Sequence, residues 1–237
     1  MIPRAAATTL QRLAEGFPII ALTGPRQSGT TTLAKAVFAD KAYVSLENPD
    51  EREFAEQDPR RFLQRFDDGA ILDEVQRCPA LFSYLQGMVD HDPRPGLFVL
   101  TGSQQFGLLS GITQSLAGRV GLVQLLPFSL SELRATPDFD VEADDLIWKG
   151  LYPPLYDRTI PPAGWYANYV MTYIERDVRQ MLNIRDLSSF QRFLRMCAAR
   201  TGQLLNLASL GNDCGITHNT AKAWLSILEA SYIVFLL

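Results

Sequence analysis

The 237-residue sequence predicts an α/β protein, a parallel sheet flanked by helices and followed by a helical module. Three observations carry that prediction. Short apolar runs alternate with longer segments of helical spacing through the first half of the chain. Two glycines five apart, Gly24 and Gly29, join the first apolar run to a helix, as in a phosphate-binding loop. Beyond residue 164 the apolar residues recur at helical spacing, ending in a pair of segments with helix-turn-helix spacing.

Composition narrows the function classes. Apolar residues make up 47% of the chain, enough for a sizeable core, and the net charge of −4 argues against a surface coated in nucleic acid. Cys78, Cys197 and Cys214 are far apart, and His91 and His218 are scattered, so no metal cluster is expected. No apolar run is long enough to span a bilayer and no signal sequence opens the chain, so no membrane partner and a cytoplasmic setting are expected.

The elements follow in order. Ala5 to Glu15 reads as a helix with Leu10, Leu13 and Ala14 on one face. Ile19–Leu22 is a buried strand, and Leu33 onward continues a helix. Between them lies Gly24-Pro25-Arg26-Gln27-Ser28-Gly29-Thr30-Thr31-Thr32, which matches G-x-x-x-x-G-K-[ST] except at Thr30, where the lysine belongs. Such a loop wraps backbone N–H groups around phosphate oxygens and aims a helix N-terminus at them. Thr31 falls where the Mg²⁺-binding hydroxyl belongs. Replacing the lysine removes a point charge from the β- and γ-phosphates, so weakened binding and weaker hydrolysis are expected. Of the nearby cations, Lys35 lies one turn into the helix and should point away, while Arg26 could reach back. An ordinary strand–turn–helix corner satisfies the same spacing.

Ala42–Leu46 alternates as a second strand, and Glu47 to Asp68 reads as helix in two pieces broken at Pro59. The third strand, 69–72, ends in Asp73-Glu74. In a Walker B arrangement the first carboxylate holds Mg²⁺ and the second polarises the attacking water. A strand running into an acidic loop is the plainer alternative. Pro79 to Val89 is a helix with Leu81, Leu85 and Met88 inward. Leu97–Leu100 is a strand whose tip places Ser103 as a phosphate or water sensor. Arg119, before the strand Val120–Leu126, is a candidate charge-stabilising finger, in cis or toward a neighbouring subunit of a homo-oligomer.

Residues 136–164 read as an acidic, proline-rich connection. The helical part then carries Phe190, Phe193, Leu194 and Cys197 as core. From Asn206 to Ala230 a short helix stops at Gly215 and Thr217 caps a second one, with Ala208 small at the crossing. His218, Asn219 and Lys222 face outward, so DNA is a candidate partner through this segment and the arginines before it: Arg176, Arg179, Arg185, Arg192, Arg195 and Arg200. Packing or protein contact explains the segment equally well. The end, Ser231 to Leu237, reads as an apolar strand with no partner after it, so either a truncated molecule or a partner elsewhere is expected.

The combination of Gly24–Thr32, Leu72-Asp73-Glu74, Leu100-Thr101-Gly102-Ser103, Leu116-Ala117-Gly118-Arg119 and Tyr173-Ile174-Glu175-Arg176-Asp177 resembles the prokaryotic AAA-type (AAA_14) P-loop ATPases that carry a DUF4143 C-terminal region. The resemblance implies a P-loop NTPase domain over 1–135, a connection over 136–164, and a winged-helix-like module over 165–237. It implies ATP or ADP and Mg²⁺ as cofactors. Thr31 and Asp73 would hold the metal, Glu74 would act as base, Ser103 as sensor and Arg119 as finger. It also implies a longer protein, since most members continue into a further nuclease-like domain. The alternative expectation is a DNA-binding regulatory or interaction protein with a vestigial nucleotide site.

Overall fold

A computed structural model describes residues 2–102, 105–136, 139, 141–174 and 187–237. The chain divides into two compact units, Met1–Pro162 and Ala163–Leu237. Ser103 and the segment Glu175-Arg176-Asp177, with Arg179 and Arg185, lie outside the described residues.

The first unit is built on five strands, β1 (Ile19–Thr23), β2 (Ala42–Ser45), β3 (Ala70–Asp73), β4 (Phe98–Gly102) and β5 (Val120–Gln124), in the order β2-β3-β4-β1-β5. Every pairing is parallel. Parallel strands need crossovers, and these are helical. Helices α1 (Ala6–Ala14) and α2 (Thr30–Val37) precede and follow β1. Helices α3 (Pro49–Gln57), α4 (Pro59–Leu63) and α5 (Ala80–His91) follow β2 and β3. Then come α6 (Gln105–Ser115), α7 (Leu130–Arg134), α8 (Ala143–Lys149) and α9 (Pro154–Asp157). The break at Pro59 has a local cause: Asp58 caps α4 by accepting from the Arg61 N–H, and Pro59 occupies the first turn, where its missing N–H costs nothing.

Side chains alternate across the sheet, so β1 feeds two cores. Ile19 and Ala21 join Leu72, Phe98 and Leu100 against Phe62, Leu81 and Phe82 from α4 and α5. Ile20 and Leu22 join Ile71 and Val99 against Leu10 of α1 and Leu33 and Ala34 of α2. Burial on both faces explains why β1 reads as a continuous apolar run. The register sets Thr23 opposite Gly102 and Asp73 opposite Thr101, so β1, β3 and β4 all end at one edge of the sheet. In open parallel sheets ligands bind beyond that edge.

The second unit is helical. α10 (Pro162–Tyr169) runs into a π-helical turn, Val170–Ile174, and is followed by α11 (Leu187–Ala199), α12 (Leu207–Cys214) and α13 (His218–Ala230). Phe190 and Phe193 of α11 meet Trp224 of α13 edge to face, at 5.3 and 5.4 Å between ring centres. The pair α12–α13 turns through Gly215-Ile216-Thr217. Gly215 takes the left-handed conformation, the Ile216 N–H donates to the Gly211 carbonyl at 2.9 Å, and Thr217 caps α13 at the Thr220 N–H. The close approach expected at Ala208 falls at Gly211 instead. Ala208 is exposed, whereas a Cβ on Gly211 would lie 2.9 Å from the Ile216 carbonyl.

The terminal strand expected over Ser231–Leu237 does not form. Tyr232, at φ 60°, closes the end of α13, and the Ile233 N–H returns to the Leu228 carbonyl at 2.8 Å. Among the described residues of this unit there is no strand for the tail to pair with, and Phe235, Leu236 and Leu237 are exposed.

Candidate functional site

The turn after β1 is shaped by two glycines. A Cβ on Gly24 would sit 2.1 Å from the Leu125 carbonyl, so only glycine lets β1 leave the sheet this close to the end of β5. Gly29, at φ 94°, reverses the chain into α2. α2 has no side-chain cap, so its first N–H groups remain unsatisfied by the side chain that usually precedes a helix. Gly24 and Pro25 are buried, Arg26, Gln27, Thr30 and Thr31 are half-buried, and Thr32 is exposed. Ser28 is fully buried, yet its Oγ has no hydrogen-bond partner. A buried hydroxyl without a partner is costly.

The acidic pair lies beside this loop. Thr31 Oγ1 donates to Asp73 Oδ1 at 2.9 Å, joining residues 42 apart in the chain. The Thr101 hydroxyl, fully buried on β4, donates to the same oxygen, and Tyr43 OH on β2 donates to Oδ2 at 2.8 Å. Asp73 is only 7% exposed, and its partners among the described residues are three neutral hydroxyls. Burial, and then the hydrogen bond to Asp73, push the Tyr43 hydroxyl up to about 12. Lys35 does not simply point away: its Nζ rests 3.3 Å over the Tyr43 ring.

Glu74 holds a backbone conformation that non-glycine residues rarely adopt, φ 55° and ψ 40°, and strain of this kind concentrates at functional sites. It turns the chain from β3 into a 3₁₀ turn, Val75–Arg77, that brings Gln76 back onto it. Gln76 Nε2 donates to Glu74 Oε2 at 2.6 Å, while Gln76 Oε1 is buried without a partner against Gly102.

Arg119 lies away from the loop of its own chain. Its carbonyl accepts from the Ile19 N–H, which fixes it where β1 begins, and its guanidinium pairs with Asp90 of α5 at 2.5 and 3.0 Å. The phosphate-type loop leaves the opposite end of β1. Four residue steps at ~3.3 Å place the two about 13 Å apart before side chains are counted. The loop itself is braced from the other side by Arg4, whose Nη1 donates to the Ser28 carbonyl at 2.8 Å and whose Nε pairs with Glu132 at 3.2 Å.

Sequence reading missed Tyr43, Thr101, Gln76 and the Arg4–Glu132 pair. Thr101 was legible as the polar residue at the tip of β4. Arg4 and Glu132 are 128 residues apart, and no local pattern joins them.

The family model described as an AAA domain, AAA_14, matches residues 16–134, half of the chain. The chain belongs to the AAA_14 family. Within AAA_14 terms, the match covers every strand of the sheet together with the loop and the acidic pair. Residues 140–237 match a domain of unknown function, DUF8612, which replaces the expected DUF4143. Uncharacterized proteins Rv2008c of Mycobacterium tuberculosis and Mb2031c of Mycobacterium bovis are each 32% identical over 98% of this chain. The chain spans 52% of their length. A Walker-type ATPase of Pyrococcus abyssi, PABY2304, superposes with a TM-score of 0.65 at 16% identity, covering 98% of this chain and 90% of that one. This likeness shows a shared fold. No helix among the described residues is long and apolar enough to cross a membrane.

The residues present fit a magnesium–nucleoside triphosphate. The uncapped helix start and the glycine cradle suit phosphate oxygens. The Thr31 and Asp73 oxygens suit a hard divalent cation. The ammonium position alone is missing, filled by Thr30.

Proposed function

We propose that this AAA_14 protein binds ATP or ADP with Mg²⁺ at Gly24–Thr32 and hydrolyses ATP slowly. The observation that carries the reading is the Thr31–Asp73 hydrogen bond, which sets a buried carboxylate against the hydroxyl of a phosphate-type loop. The backbone N–H groups of Gly29, Thr30 and Thr31 and the start of α2 hold the phosphates. Thr31 and Asp73 hold the cation, which neutralises phosphate charge when bound. Glu74 accepts the proton of the attacking water once its carboxylate is released from Gln76. Thr30 offers no charge, so affinity and turnover are both reduced relative to a lysine loop.

Calorimetric titration of the full chain with ATP and Mg²⁺, beside Thr30→Lys, tests this reading. Binding by the wild type that tightens roughly tenfold or more in the variant supports it. Absence of binding in both sinks it.

A second reading, DNA contact through Asn206–Ala230, rests on the exposed His218, Asn219 and Lys222 at the start of α13. Two arginines expected to assist are engaged within the unit: Arg200 pairs with Asp213 and Ser209, and Arg192 Nη1 reaches the Cys214 carbonyl at 3.5 Å. Duplex binding that weakens with salt and is reduced by Lys222→Ala supports this reading; binding without a salt slope ends it.

A further inference from the structure

The geometry points to Arg4 as a positioning residue for the phosphate cradle: it pins the Ser28 carbonyl away from the ligand, so that the Gly29 N–H faces it. This inference rests on the nucleotide reading above and concerns how the same loop works without its lysine.

The Arg4 side chain is 7% exposed and its donors are committed. Nη1 donates to the Ser28 carbonyl at 2.8 Å, Nη2 to the Leu126 carbonyl at 2.5 Å and the Pro127 carbonyl at 3.3 Å, and Nε to Glu132 Oε1 at 3.2 Å. The guanidinium carbon lies 4.8 Å over the Phe128 ring. Glu132 is held in turn: Oε1 accepts from the Ala5 N–H at 2.7 Å and Oε2 from the Ser129 N–H at 2.8 Å. Burial pulls the Glu132 pKa upward, but the Ser129 and Ala5 N–H groups and Arg4 outweigh it and hold the carboxyl below its usual range. Arg4 is thus a rigid fork, anchored on three sides, with its remaining arm on the loop.

In a planar trans peptide the carbonyl and the following N–H point opposite ways. With the Ser28 carbonyl on Arg4, the Gly29 N–H is directed away from Arg4. That peptide is the part of the loop most able to turn over, because it is flanked by Gly29, at φ 94°, and glycine crosses between conformations at little cost. Turned over, it would present a carbonyl oxygen to a polyanion. The charge-assisted hydrogen bond from Arg4 opposes that turn and polarises the peptide, leaving its N–H end more positive. Where a lysine follows the second glycine, a point charge draws the phosphates regardless of one peptide. With Thr30 there, more of the attraction falls to the oriented peptides, the start of α2 and the cation that Thr31 and Asp73 would hold. Arg4 does not replace the lysine's field, because Glu132 neutralises it locally; it acts through the Ser28–Gly29 peptide.

The test uses the full chain, with inorganic tripolyphosphate and Mg²⁺ as probe and the wild-type protein, which keeps Thr30, as parent. Arg4→Met combined with Glu132→Gln removes the anchor without leaving a carboxylate buried and unpaired. Arg4→Lys keeps Glu132 paired but loses the fork. The double variant is expected to bind about tenfold more weakly, and Arg4→Lys about threefold. The Gly29 amide resonance should lose its ligand-induced downfield shift in the double variant, a change that general loosening of the unit would not confine to one peptide. Equal affinity and an unchanged Gly29 shift in either folded variant overturn the inference while leaving the nucleotide reading standing. If only Thr30→Lys binds tripolyphosphate, the inference is overturned; if neither protein binds it, the nucleotide reading falls as well.

Discussion

Two carboxylates flank the phosphate-type loop, both nearly buried, and they are held in opposite ways. Glu132, 9% exposed, is paired with Arg4 and with two backbone N–H groups. Asp73, 7% exposed, has three hydroxyls and no ion pair among the described residues. A buried charge with its counter-charge in place is a finished structural joint. A buried charge satisfied only by neutral donors has electrostatic capacity left over, and its outer neighbours are a glycine cradle and a helix start. On the nucleotide reading proposed above, the difference separates the part of the molecule that shapes the loop from the part that would meet the ligand.

Substitutions should therefore affect the two carboxylates differently. The largest expected effect is at Asp73. Asp73→Asn keeps a hydrogen-bond acceptor for Thr31 and Thr101 but removes the charge, and is expected to lower Mg²⁺-dependent ATP affinity about a hundredfold while leaving the folded state intact. Calorimetry with and without EDTA measures it; a variant that binds MgATP like the wild type would erase the distinction. Next is Glu132→Ala, which strands the Arg4 guanidinium in a buried site. Urea denaturation should show a loss of about 3–5 kcal/mol, as for other broken buried pairs. An effect near zero would mean that Arg4 and Glu132 are solvated in solution.

The pH response sharpens the same contrast. The Glu132 carboxyl is held below its usual range, so its contribution is complete above the ordinary glutamate pKa and is lost as pH falls through the lowered folded value. Unfolding midpoints should drop on acidification in the wild type and drop less in Glu132→Gln. On the other side, the Tyr43 hydroxyl is pushed up to about 12 from 10.0, so the unfolded chain ionises first. Stability from this group is complete below pH 10 and fades toward pH 12, a decline that Tyr43→Phe should lack. The smallest effect belongs to Arg119→Ala, at the far end of the strands. ATP affinity of the isolated chain should not change, and a clear loss would place the finger back in cis.

Much of the fold was legible because the strands are short, apolar or alternating, and joined by helical crossovers. The loop and the acidic pair were legible because their chemistry is written in adjacent residues, Gly24 to Thr31 and Asp73-Glu74. Legibility failed where the decisive partner was remote. Tyr43 reads as an alternating strand residue until β2 pairs with β3, and only then does its hydroxyl reach Asp73. The place of Arg119 was hidden for a related reason: adjacency to a strand says nothing about which end of the sheet it occupies until the register is known. The terminal run from Ser231 misled because apolarity alone cannot distinguish a strand from a tail that first closes a helix through Tyr232.

The central claim is that the buried, hydroxyl-held Asp73 completes a magnesium–nucleotide site despite Thr30. Its most direct test is the thermal midpoint of the wild-type chain with MgATP, with ATP plus EDTA, and with MgATP added to Asp73→Asn. Ligand at 100 times its Kd adds about 2.7 kcal/mol. At roughly 2–4 °C per kcal/mol for a chain of this size, the midpoint should rise by about 5–10 °C. The predicted result is a rise that requires both Mg²⁺ and Asp73. One midpoint for all three samples, at ATP concentrations up to the millimolar range, would contradict it.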